Sequence, residues 1–218
     1  MTASVTSATP AVRRRLPRDE RARQLLDVAE AVFAARGVQA ASMDDIAEAA
    51  GVTKPVLYDH YGSKDRLMAA VVERVGRTLG EVVLSAVTAA GSPEAAIAEG
   101  LRAYFGFIDE RRSGLHSLLS EGVTPGSEAA AALEAVRSQQ ATMIASLLLE
   151  HSDGGDAAEA SIYAQIVVGA TERLALRPDA TAGPSADELT RHVMDVIWYG
   201  FDRLREGLRW SPSPGPQG

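Results

Sequence analysis

The chain has 218 residues, 46% of them hydrophobic and 23% charged, and a formal net charge of -7 at pH 7. This is an ordinary folded composition, enough for one or two domains, with no global attraction to nucleic acid. Cysteine is absent, which excludes disulfides, thiolate metal sites and cysteine nucleophiles, and no apolar run approaches the roughly 20 residues of a membrane span.

Residues 1–17 read as a disordered basic arm, because they lack an apolar signal core and lead into six arginines against two acids between Arg13 and Arg23. A cytoplasmic protein is expected. From Arg18 onward helical period replaces any β-branched alternation. The first helix should run from Arg18 to Arg36 and stop at Gly37, with Ala22, Leu25, Leu26, Ala29, Val32 and Phe33 as its apolar stripe. Ser42 then caps a short helix, with Asp45 as its capping-box partner. Gly51 makes a turn, and Thr53 caps a third helix reaching about Tyr61. Gly62 and Ser63 break the chain, and Ser63 caps a long helix from Lys64 to about Ala90. Further helices are expected from Pro93 to about Arg111, Leu115 to Glu121, Ser127 to Glu150, Ala157 to Arg177 and Ser185 to Leu208. Residues 209–218 are proline-glycine coil, a disordered tail. The fold is all-α, with about nine helices.

The segment AGVTKPVLYDHYGSKDRL holds both lysines of the chain, Lys54 and Lys64, among a cluster of rings. Small Ala47 and Gly51 suit the crossing of a helix-turn-helix, with Ile46, Ala50, Val52 and Leu57 as its core. At 100° per residue Leu57 and Tyr61 fall within about 40° of each other and point inward. Pro55 and Asp59 centre the opposite face, flanked by Lys54, Val56 and Tyr58. Such a face fits the major groove of DNA: Lys54, Tyr58 and Lys64 grip phosphates, Thr53 and the helix start offer N–H groups, and Val56 can meet a thymine methyl. Asp59 is the misfit, repelled by phosphate yet able to accept from a cytosine amino group. Other readings stand beside this one. Short capped helices recur in many α-proteins, Tyr61 suits the core, His60 suits plain solvent, and residues 42–66 carry three cations against five acids.

The run from Arg21 through Leu67, including RQLLDVAEAVFAARGVQAAS and MDDIAEAAGVTKPVLYDHYGSKDRL, resembles the DNA-binding domain of TetR-family transcriptional regulators. The resemblance implies operator contacts at Thr53, Lys54, Pro55, Val56, Tyr58, His60, Tyr61 and Lys64, with Asp59 at a position the family varies. It likens Arg13, Arg14 and Arg15 to arms that some members place in a minor groove. A helix-turn-helix domain over residues 18–66 would be followed by a ligand-binding and dimerisation domain over 67–208. The expected protein is a homodimeric repressor on palindromic double-stranded operator DNA, released by a small apolar effector.

Candidate effector-pocket residues are Tyr104, Phe105, Phe107, Leu115, His116, Leu118, Leu119, Met143 and Leu147, although residues of this kind are more often plain core than ligand wall. Glu172 and Arg173 interrupt an apolar helix as polar handles for a ligand, a buried pair or interface contacts. Two helices are apolar on most sides and so must be covered. The resemblance makes them the dimer interface, through Ile162, Ile166 and Gly169 on one and Val193, Ile197, Trp198 and Phe201 on the other. His116 has no second ligand at metal-binding spacing, so no metal or cofactor is expected. No nucleophile elbow, phosphate loop or carboxylate pair supplies a catalytic residue. Two alternatives stay open: a helical ligand-binding protein that has lost operator binding, and an enzyme using the bundle cavity.

Overall fold

The computed structural model describes residues 17–150, 156–177 and 183–206, so Arg14 and Arg15 lie outside the described residues. Helix α1 (Arg18–Arg36) buries Leu25, Ala29 and Phe33 at four-residue steps, the stripe that helical period requires. Gly37 ends it with φ 81°. Helix α2 (Met43–Ala49) begins with the expected capping box: Ser42 Oγ accepts the Asp45 N–H at 3.1 Å, and Asp45 Oδ2 accepts the Ser42 N–H at 2.9 Å. Gly51 takes φ 63°, a conformation that costs a side-chain-bearing residue, and so turns α3 (Lys54–Tyr61) across α2 with Leu57 fully buried. Ser63 Oγ accepts the Arg66 N–H at 3.1 Å and opens α4 (Lys64–Ala89).

The remaining helices are α5 (Pro93–Glu110), α6 (Arg112–Ser117), α7 (Glu128–Glu150), α8 (Ala157–Ala175) and α9 (Ala186–Arg205). The short helix expected at Leu115 to Glu121 starts earlier, at Arg112, and gives way to a wider π-helical turn over Leu118–Gly122. Gly122 closes that turn in a tight seat, where a Cβ would lie 2.5 Å from Met68 Sδ and 3.0 Å from Val38 Cγ1. The first turns of α4 pack on α1 and α3, and its body packs on α5 and α7; α8 packs on α7, α9 on α5, and α6 on α1. At Gly76 a Cβ would stand 2.4 Å from a methyl of Val136, so only glycine lets α4 and α7 cross this closely.

Three polar joints tie the three-helix head and the first turn of α4 to the rest of the bundle. Arg74 of α4 pairs with Asp27 and Glu30 of α1 and donates to the Leu26 carbonyl at 3.1 Å. Asp65 accepts the N–H groups of Glu128 and Ala129 at 2.8 and 3.4 Å, capping α7, while Arg66 Nε donates to Glu128 Oε1 at 3.0 Å. Ser117 Oγ accepts the buried Val38 N–H at 3.1 Å. Among the described residues no helix is long and apolar enough to cross a membrane.

Candidate nucleic-acid interface

Burial of Leu57 fixes the rotation of α3 and turns the opposite side outward. Thr53, Lys54, Pro55, Tyr58 and Asp59 are exposed, whereas Val56 and His60 are half-buried. Thr53 occupies the N-cap with extended backbone, yet its side chain makes no cap hydrogen bond, unlike Ser42 and Ser63. A helix start left uncapped by side chains keeps its first N–H groups available to an anion. The Lys54 ammonium sits 2.9 Å from Asp44 Oδ2 and 5.9 Å from the centre of the Tyr58 ring. Its hydrogen bond to Asp44 holds its pKa above the ordinary lysine value, so the cation is secure. Lys64 Nζ lies 3.5 Å from the Gln39 carbonyl at the same end of the molecule.

Tyr61 turns the other way. Its hydroxyl donates to the Ala22 carbonyl of α1 at 2.9 Å, and burial raises its pKa against the opposing charge of Arg74. The family-implied operator contact is therefore corrected here to a half-buried anchor on α1, because Tyr61 shares the Leu57 side of the helix. Tyr61→Phe should lower stability by about 0.5–1.5 kcal/mol in urea unfolding, the worth of one hydrogen bond. DNA affinity of the folded protein should not change.

The excess of acid in this segment is largely engaged elsewhere. Asp45 is bound by the Ser42 side chain and backbone and by Arg36 at 2.6 Å, which together hold its pKa low. Asp44 faces Lys54, and Asp65 points to α7. Asp59 alone of these acids stands exposed at the centre of the outward face of α3.

In the bundle a polar cluster spans three helices. Arg137 of α7 grips Glu172 of α8 with both arms of its guanidinium, Nε to Oε2 at 2.8 Å and Nη2 to Oε1 at 2.5 Å. The Tyr104 phenol of α5 lies beside Glu172 and Thr171, and its pKa is raised by burial first and by the Glu172 charge second. Glu172 thus pairs with Arg137 and not with Arg173, which is exposed. Arg137 and Thr171 are the cluster members that sequence reasoning missed, since nothing local links residues on different helices. Phe105 packs edge-on against Tyr104 at 5.5 Å, while Phe107 is buried beneath the Arg111 guanidinium. Leu115 and Leu118 are core, and Leu119, Met143 and Leu147 are half-buried. His116 is corrected from pocket wall to surface: α6 buries Leu115 and Ser117 on either side of it and leaves it exposed.

Among the described residues both late helices expose large apolar side chains. Ile166 is 59% exposed, Val196 75% and Tyr199 66%, with Ile162 and Gly169 also open. Val193 belongs instead to the chain's own core at 6% exposure, three residues round the helix from Val196. Ile197 packs against that core and Trp198 is half-buried, while the side chain of Phe201 lies outside those described.

Comparison with known proteins bears on this architecture. Residues 25–71 match the family of bacterial regulatory proteins of the tetR type, and residues 93–200 match the tetracyclin repressor-like C-terminal domain. A TetR-like transcriptional regulator of Rhodococcus sp. RHA1 superposes with TM-score 0.65 at 30% identity, covering 86% of this chain and 99% of that one. The HTH-type transcriptional activator FasR of Mycolicibacterium smegmatis is 44% identical over 100 residues, 46% of this chain and 46% of that protein. The HTH-type transcriptional repressor Rv3405c of Mycobacterium tuberculosis is 39% identical over 69 residues, 31% of this chain and 37% of its own. The matches to these two curated relatives therefore span under half of their length. Across the solved relative, by contrast, the likeness runs from the helix-turn-helix head to the end of the bundle, and the chain belongs to the TetR family of helix-turn-helix transcriptional regulators, which are not enzymes.

Proposed function

We propose that this protein is a cytoplasmic homodimeric repressor that reads a palindromic operator with α3 and is released by a small apolar effector entering the bundle. The observation that carries the reading is the outward face of α3. Leu57 anchors the helix from behind, and an uncapped start, a secure lysine, a rigid proline and a phenol stand together on the exposed side. In a dimer two such helices would lie about one DNA turn apart and enter successive major grooves. The exposed apolar face of α8 and α9 supports pairing of two copies, and the bundle supports an effector site near Tyr104, whose polar partners Arg137 and Glu172 would orient it.

Fluorescence anisotropy with DNA from the region upstream of its gene tests the reading. Salt-dependent binding with a preferred sequence is expected, and sequence-indifferent binding would overturn it. Lys54→Ala should weaken every duplex alike and flatten the salt slope by about one per subunit, as loss of a phosphate contact does. Asp59→Ala should instead reorder operator preference by about 1–3 kcal/mol at one position. Equal strengthening of all duplexes would reduce Asp59 to a repulsive charge. A second reading, activation, is favoured by the likeness to FasR. Transcripts of the target genes rise on deletion of a repressor and fall on deletion of an activator.

A further inference from the structure

Two reading heads meet two half-sites at once only if each head is held at a fixed orientation to the dimer axis. Arg74 ties the head to α4, and Asp65 ties the first turn of α4 to α7, but the most exposed large apolar side chains among the described residues lie on α8 and α9. Helix α6 joins the head to α8 itself. It is a bar of six residues with a hydrogen bond at each end. At its start Arg112 Nη1 donates to the Ala175 carbonyl, the last residue of α8, at 3.0 Å. A guanidinium on a C-terminal carbonyl satisfies an orphan acceptor and suits the helix dipole. Asp109 fixes that guanidinium by accepting from Nε and Nη2 at 3.2 and 2.7 Å. At the far end Ser117 Oγ accepts the N–H of Val38, two residues past the end of α1, with both residues buried. Between the two, Gly114 lies so close to α1 that a Cβ would stand 2.9 Å from the Ala34 Cβ.

We propose that Arg112 and Ser117 are positioning residues for operator recognition: through α6 they lock each head to α8 and so set the half-site spacing that the dimer accepts. The inference rests on the reading of α3 as the DNA helix and of α8 and α9 as the dimer face. Its physical basis is preorganisation, since a head held rigidly gains fully at one spacing and loses steeply at others, whereas a loosened head loses at the best spacing and tolerates the rest.

The test uses an operator selected from a random duplex library, then rebuilt with its half-sites moved one to three base pairs closer or apart. Each base pair displaces a half-site by about 3.4 Å and rotates it by about 35°. Wild-type protein should lose at least about tenfold in affinity per base pair, and Ser117→Ala and Arg112→Gln about threefold or less. Both variants should bind an isolated half-site as wild type does and remain dimeric by light scattering. Should Ser117→Ala fail to fold, Arg112→Gln decides, because its side chain is partly exposed and its loss opens no cavity. Folded, dimeric variants with the wild-type spacing profile would overturn the inference alone. A wild-type protein indifferent to spacing, or as tight on one half-site as on two, would overturn the dimer reading and the inference with it.

Discussion

A chain carrying Ile166→Glu and Val196→Glu should run as a folded monomer and bind its operator at least about a hundredfold more weakly than wild type. Both side chains stand in the open on α8 and α9, so their exchange removes nothing from the chain's own core. In a two-fold dimer every substitution occurs twice, and carboxylates of like charge would be forced into an apolar contact. Once the dimer is lost, the second head no longer binds as an intramolecular event, and the avidity of linked sites disappears. Size-exclusion chromatography with light scattering, circular dichroism and anisotropy check the three parts. A variant that remained dimeric at micromolar concentration would place the interface elsewhere.

Leu57→Ala should cost about 2–5 kcal/mol in unfolding free energy, the range for a buried leucine cut to alanine. The effect sits at the high end of importance because α3 has eight residues and cannot persist as an isolated helix. Its position depends on Leu57, fully buried among residues such as Ile46, Ala47 and Leu67, and on the Tyr61 bond to Ala22. Lys54→Ala, on the exposed side of the same helix, should leave the unfolding midpoint unchanged while weakening DNA. Paired urea titrations of the two variants separate holding the helix from using it. A loss below about 1 kcal/mol for Leu57→Ala would mean that α3 is held by other contacts.

Local chemistry made much of the head legible. Ser42 with Asp45, Gly51, and the Gly62–Ser63 break are signals confined to four residues or fewer, and each gives the element boundary it implies. The inward pointing of Leu57 followed from helical winding alone. What escaped the sequence lies between helices. Asp44 reaches Lys54 across a turn of ten residues, and Arg137 reaches Glu172 across 35. Neither spacing recurs as a motif. Thr53 reads as a cap by propensity, yet its side chain does not close the helix. The helix start at Arg112 coincides with a tertiary bond to Ala175 that no local pattern encodes. On α9 Val193 and Val196 stand three residues apart on neighbouring parts of one apolar side, so the sequence could not tell Val193, turned to its own core, from Val196, turned outward. His116 was misplaced for the same reason: an apolar neighbourhood in sequence does not say which side of a short helix is buried.

The cap that Asp65 places on α7 decides where this protein can be cut and rejoined. A reading head moved between regulators as a cassette would take a seam near the break between α3 and α4. Here a seam after Leu67 would put a foreign residue beneath the N–H groups of Glu128 and Ala129 and a foreign partner opposite the Glu128 carboxylate. A seam at Ser63 keeps Asp65, Arg66 and Glu128 from one parent, but then Lys64 comes from the bundle's side and not from the donor head. A working chimera therefore needs the later seam with Asp65 and Arg66 restored by hand, so that the transplanted head inherits its own lysine and the host's joint.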